Sequence, residues 1–194
     1  MQFIVNPQSL GEFSEDLFYE FCINNKELKI ERNSRGQLII MPPTGLDTSF
    51  DNLNLGTEVN LWNRKHQLGK VSDSNGGYTL PNGAIYAPDV AWVSNERLAN
   101  VPEEDRKKFA HVCPNFVIEL MSESDSLKQA KDKMEEWMEN GTQLGWLIDP
   151  QAQKVYIYRE NGERIIQDFS QKLSGEGVLP EFELNLSEIF KEST

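Results

Sequence analysis

Two short apolar runs, each carrying an acid, constrain the folding of this chain more than any other feature. Val90-Ala-Trp-Val93 is β-branched and aromatic and predicts a buried strand, with Pro88-Asp89 leading directly into it. Phe116-Val-Ile-Glu-Leu-Met121 predicts a second, with Glu119 in its middle. An ionised carboxylate taken out of water is costly unless it is paired or binds a metal. Side chains alternate along a strand, so Glu119 shares a face with Val117 and Met121, opposite the Phe116, Ile118 and Leu120 row. If the two strands pair, Asp89 and Glu119 converge on that face. Two carboxylates and a backbone carbonyl are hard oxygen ligands suited to Mg²⁺, with water or a substrate phosphate completing the octahedron. Such an ion lowers the pKa of a bound water and stabilises charge on a phosphoryl group. The competing account is a hydrogen-bonded acid at a strand start plus one buried structural glutamate.

Around these runs the pattern predicts one α/β domain over 1–194 with a mixed sheet. Ser14 caps a helix to about Asn25, and Leu28–Arg32 and Gln37–Met41 form a hairpin about Asn33-Ser-Arg-Gly36. The core order is helix, strand, strand, strand, helix, strand over 47–66, 69–78, 83–93, 115–121, 126–140 and 143–149. Gly141 supplies the stop of the second core helix. A second hairpin follows over 154–168, then a short helix from Leu186 to Phe190. Residues 94–114 are a polar excursion between the two acidic strands.

At 194 residues the chain is long enough to bury a real core. No run approaches the ~20 apolar residues of a membrane span. The N-terminus lacks the basic and apolar regions of a secretory signal, so a cytoplasmic location is expected. Cys22 and Cys113 lack a CxxC partner and read as reduced packing thiols. His66 and His111 show no metal-ligand spacing. A net charge of −12 opposes a surface that attracts nucleic acid throughout, although a local basic cleft is compatible with it.

Phosphodiester hydrolysis benefits from a cation beside the acids. In the helix after Glu119, the apolar stripe is Leu127, Ala130, Met134, Trp137 and Met138. Lys131 and Lys133 flank it on opposite sides, and either can lean toward the acids. Their ordinary reading is that of boundary residues whose stems cover apolar surface. Pro42-Pro-Thr-Gly45 and Ser74-Asn-Gly-Gly77 read as turns, lacking the Lys-Ser/Thr ending of a P-loop. Ser122 and Ser124 read as helix caps, and Trp62, Trp92, Trp137 and Trp146 as core or interface.

Pro88-Asp89…Glu119 resembles the PD-(D/E)XK nuclease signature. Leu80–Val93, Cys113–Leu120, Lys133-Met134 and Gly141–Pro150 together resemble the Uma-type family of restriction endonucleases within that superfamily, and the likeness runs from about Gly36 to Phe190. The resemblance implies a restriction-endonuclease-like αβββαβ core, flanked here by an N-terminal helix and hairpin and a C-terminal hairpin. It further implies a Mg²⁺ site, with Mn²⁺ as an alternative ion, and makes Asp89 and Glu119 the ligands. The third position of the (D/E)XK triplet is Met121, so the lysine is missing from its usual place. The resemblance takes it from the following helix, at Lys133, while the spacing alone leaves Lys131 open. A glutamate on the first core helix often assists in the superfamily, and Glu58 is the acid well inside that helix here. The expected activity is Mg²⁺-dependent endonucleolytic hydrolysis of DNA, by a homodimer as the resemblance suggests. The alternatives are a nuclease-fold binding or regulatory module without turnover, and a metal-dependent phosphohydrolase of small nucleotides.

Overall fold

The computed structural model describes residues 3–7 and 13–190. In chain order the elements are β1 (Phe3–Val5), α1 (Glu15–Asn24), β2 (Lys29–Arg32), β3 (Leu38–Met41), α2 (Leu46–His66), β4 (Gly69–Ser72), β5 (Tyr78–Thr79), β6 (Ile85–Tyr86) and β7 (Val90–Ser94). There follow α3 (Asn95–Ala99), β8 (Ala110–His111), β9 (Phe116–Leu120), α4 (Leu127–Glu139), β10 (Leu144–Asp149), β11 (Lys154–Arg159), β12 (Arg164–Asp168), β13 (Leu173–Ser174), β14 (Glu183–Leu184) and α5 (Leu186–Ile189). Local chemistry sets several boundaries. The Ser14 hydroxyl accepts the Leu17 N–H at 3.2 Å and starts α1. Gly36, at φ +75°, turns the β2–β3 hairpin, and Gly141, at φ +107°, follows the end of α4.

Two six-stranded mixed sheets result, ordered β1-β3-β2-β6-β5-β8 and β12-β11-β10-β9-β7-β4. In the second, β7 pairs antiparallel to β9, and β9 runs parallel to β10 through the α4 crossover. The series α2, β4, β7, β9, α4, β10 is the expected αβββαβ core, and the fold is restriction-endonuclease-like. One expectation is corrected. The spans 69–78 and 83–93 are not single strands, since each divides between the two sheets. Gly69–Ser72 and Val90–Ser94 pair with one another in the second sheet, while Tyr78–Thr79 and Ile85–Tyr86 pair in the first. The first division is a turn in which the Asp73 carboxylate accepts the Asn75 N–H at 3.0 Å. The second is Ala87-Pro88-Asp89, where proline has no N–H to give to a ladder.

The second sheet is covered on both faces. On one, Leu55, Val59 and Trp62 of α2 and the C-terminal Phe182, Leu184 and Leu186 pack on Phe116, Ile118, Trp146 and Ile148. On the other, Met134 and Trp137 of α4 pack on Val117 and Leu147, joined by Tyr78 and Tyr86 from the first sheet. Fully burying each such large side chain stabilises the fold by about 1.5–3 kcal/mol. All four tryptophans are buried. Both cysteines are free thiols, Cys113 buried and Cys22 half-buried, and burial pushes the Cys22 thiol up to about 11. Among the described residues, no helix is long and apolar enough to cross a membrane.

Candidate active site

The β7–β9 register pairs Val90 with Ile118, and its continuation sets Asp89 opposite Glu119 at the end of the ladder. Asp89 lies where the chain leaves the first sheet for the second. One of its carboxylate oxygens accepts the Leu120 N–H at 2.8 Å. The other accepts from the Asn52 amide of α2 at 3.3 Å and lies 3.9 Å from the Lys29 Nζ. The strand pleat turns Glu119 toward α4, where Trp137 Nε1 donates to it at 2.8 Å. Lys133, one helical turn before Trp137, places its Nζ 2.9 Å from Glu119 Oε1 and 2.9 Å from Glu31 Oε1. Glu31 comes from β2 and also accepts the Ala87 N–H at 3.0 Å, which ties the first sheet to the segment carrying Asp89. The Lys133 ammonium stands 5.2 Å from the centre of the Tyr86 ring, and the Tyr86 hydroxyl donates to Glu136.

Three carboxylates (Glu31, Asp89 and Glu119) thus share a largely dry site with two ammonium groups, of which Lys29 is partly exposed. Burial, opposed by Lys133 and reinforced by the charges of Asp89 and Glu31, holds the Glu119 carboxyl up at about 7. Burial pulls the Lys133 ammonium down, but Glu119 and Glu31 outweigh this and hold it above its ordinary range. The surplus negative charge and the oxygen-only donor set of Asp89 and Glu119 fit a hard divalent cation. Among the described residues, no three His, Cys, Asp or Glu side chains form a ready cage. The fit is therefore to two protein carboxylates, with water or substrate oxygens completing the shell.

The structure brings Asp89, Glu119 and Lys133 together. It separates Lys133 from Lys131, whose ammonium sits 4.1 Å from the centre of the Tyr156 ring on β11. Glu58 is exposed on α2, and Asn52 is the residue of that helix that reaches Asp89. Ser122 and Ser124 are not the caps of α4. Ser126 occupies the N-cap position, and Ser122 bonds the Asp125 carboxylate through its N–H at 2.8 Å and its hydroxyl at 2.9 Å. His111 engages Glu15 and Asp105, and His66 lies beside Glu181, both outside this cluster. The sequence reading misses Glu31, Lys29, Asn52 and the Trp137 bond. Lys29 and Glu31 alternate with Ile30, which packs toward the α1 cluster, so they resemble the wet face of a surface hairpin. Only the packing of the two sheets turns that face inward.

The family model described as Uma2, putative restriction endonuclease, matches residues 15–187. A crystal structure from Anabaena variabilis ATCC 29413, described as a putative nuclease belonging to DUF820, has a TM-score of 0.70 to this chain. The two are 20% identical, and the match covers 83% of this chain and 89% of that one. That likeness shows a shared fold. No curated protein matches the chain. With the family model spanning nearly all of its length, the chain belongs to the Uma2 family of putative restriction endonucleases.

Proposed function

We propose that this protein is a Mg²⁺-dependent endodeoxyribonuclease, with Mn²⁺ as an alternative ion. The observation that carries the reading is the convergence of Asp89, Glu119 and Lys133, from three separated segments, in one site with surplus negative charge. Family membership supports phosphodiester hydrolysis as the reaction, and a DNA substrate is compatible with it.

Asp89 and Glu119 would hold the cation. The chemistry it supplies is a bound water of lowered pKa and neutralisation of phosphoryl charge. The protein's own groups do the rest. The Leu120 N–H and the Asn52 amide fix the Asp89 carboxylate, and the Trp137 indole fixes that of Glu119. Lys133 is held as an ammonium, so its role is to orient the attacking water or to stabilise developing phosphoryl charge, not to take a proton. Glu31 positions Lys133. In the reaction, the water oxygen bonds to phosphorus and gives up a proton to solvent, the bond to the leaving ester oxygen breaks, and that oxygen takes up a proton from solvent.

The test is nicking of supercoiled plasmid in Mg²⁺ and in Mn²⁺, beside EDTA, Asp89→Ala and Glu119→Ala controls. Nicking that EDTA and both substitutions abolish supports the reading. Cleavage retained by folded Asp89→Ala overturns the site, and no cleavage in either metal overturns the activity.

A further inference from the structure

α2 is apolar on two opposite faces, and only one of them is covered. Leu55, Val59 and Trp62 are buried against the second sheet. At about 100° per residue, Leu46, Phe50, Leu53 and Leu61 fall on the far side, with Thr57 among them. Their exposures are 69%, 53%, 68% and 52%. Single exposed leucines are ordinary, but these residues follow one line along a 21-residue helix. At such exposures four large side chains present roughly 500 Å² of apolar surface, near the top of the range for the largest patch on a monomer.

Charge is distributed unevenly along the same helix. Asp47 and Asp51 lie toward its N-terminal end, Arg64 and Lys65 at its C-terminal end. Among the described residues, neither aspartate nor Arg64 has an ion-pair partner, and Lys65 makes only an exposed 3.9 Å contact with Glu181. Burial pushes the Asp51 carboxyl up, and the charge of Asp47 adds to this.

We propose that the outer face of α2 is a homodimer interface, occupied by α2 of a second copy lying antiparallel about a two-fold axis. Such an axis brings the same patch of both subunits together. It sets Asp47 beside the partner's Lys65 and Phe50 beside the partner's Leu61, whereas a parallel pairing opposes acid to acid. A stable dimer buries about 800 Å² per subunit. The apolar stripe supplies most of that area, and the flanking charged residues form the rim. The proposal is independent of the chemistry at the carboxylate cluster.

Sedimentation velocity of the full chain, from 1 to about 100 µM, tests it. The expected wild-type species has twice the 22.2 kDa chain mass. Phe50→Glu with Leu53→Glu shifts it to a single chain with an unchanged circular dichroism spectrum, since both side chains are exposed. Asp47→Lys and Lys65→Asp each weaken association at least threefold, and combining them restores it. A wild-type monomer at 100 µM overturns the interface, as does a dimer indifferent to the two glutamates. A combined charge swap no better than either single change overturns the antiparallel pairing.

Discussion

Replacing Lys133 with methionine removes the ammonium between Glu31 and Glu119 while keeping most of the stem that packs beneath it. Breaking a buried ion pair from one side costs about 3–5 kcal/mol. The Lys133 side chain is 20% exposed, which places the loss near the lower end, about 3 kcal/mol at pH 8. At pH 5.5 the loss shrinks. Glu119, pushed up to about 7, is then mostly protonated in the folded wild type, so Lys133 neutralises Glu31 alone and removing it strands one charge instead of two. About half the penalty remains. Urea unfolding followed by tryptophan fluorescence is a direct assay, because Trp137 bonds Glu119. With a urea slope near 2 kcal/mol/M, the midpoint falls by about 1.5 M at pH 8 and under about 1 M at pH 5.5. Adding Glu31→Gln to Lys133→Met recovers part of the loss, since one stranded carboxylate is gone. Equal midpoint losses at the two pH values would refute the reasoning, and a loss under about 0.3 M at pH 8 would show that Lys133 is not a desolvated counter-ion.

Three further outcomes follow from the same geometry. The metal-free wild type is more stable at pH 5.5 than at pH 8, by on the order of 2 kcal/mol, because the raised Glu119 carboxyl contributes stability present below about pH 4.5 and lost as pH rises through about 7. Melting in EDTA checks this, and a midpoint rising across that window counts against it. Glu31→Gln lowers nicking about 10–100-fold by loosening Lys133, whereas Lys131→Ala and Glu58→Ala stay within about threefold of the wild type; equal losses in all three would remove the distinction. Gly69→Ala destabilises by more than about 3 kcal/mol, since the added methyl would meet the Val93 carbonyl oxygen at 2.2 Å in the paired strand. A chemical melt within about 1 kcal/mol of the wild type would show that β4 yields at that point.

By itself the sequence determined the local half of this protein. Period-two alternation fixed the face of Glu119, and the 3.6-residue period fixed the inward stripe of α4, because both depend on neighbours within a few residues. The αβββαβ order was legible for the same reason. The tertiary structure alone decided matters that turn on distant partners. Spans 69–78 and 83–93 look like continuous strands, yet each exchanges sheets midway, because a strand's sheet is settled by which backbone completes its hydrogen bonds. That exchange leaves Asp89 at the ladder's end. Lys131 and Lys133 flank the stripe alike in sequence, and the placement of β11 against α4 gives Tyr156 to one and the carboxylates to the other. Glu31 joins a site some sixty residues from Asp89 only because the first sheet packs over α4. Long-range packing, which no local period encodes, turned a surface-like hairpin residue into one of the most deeply buried acids of the chain.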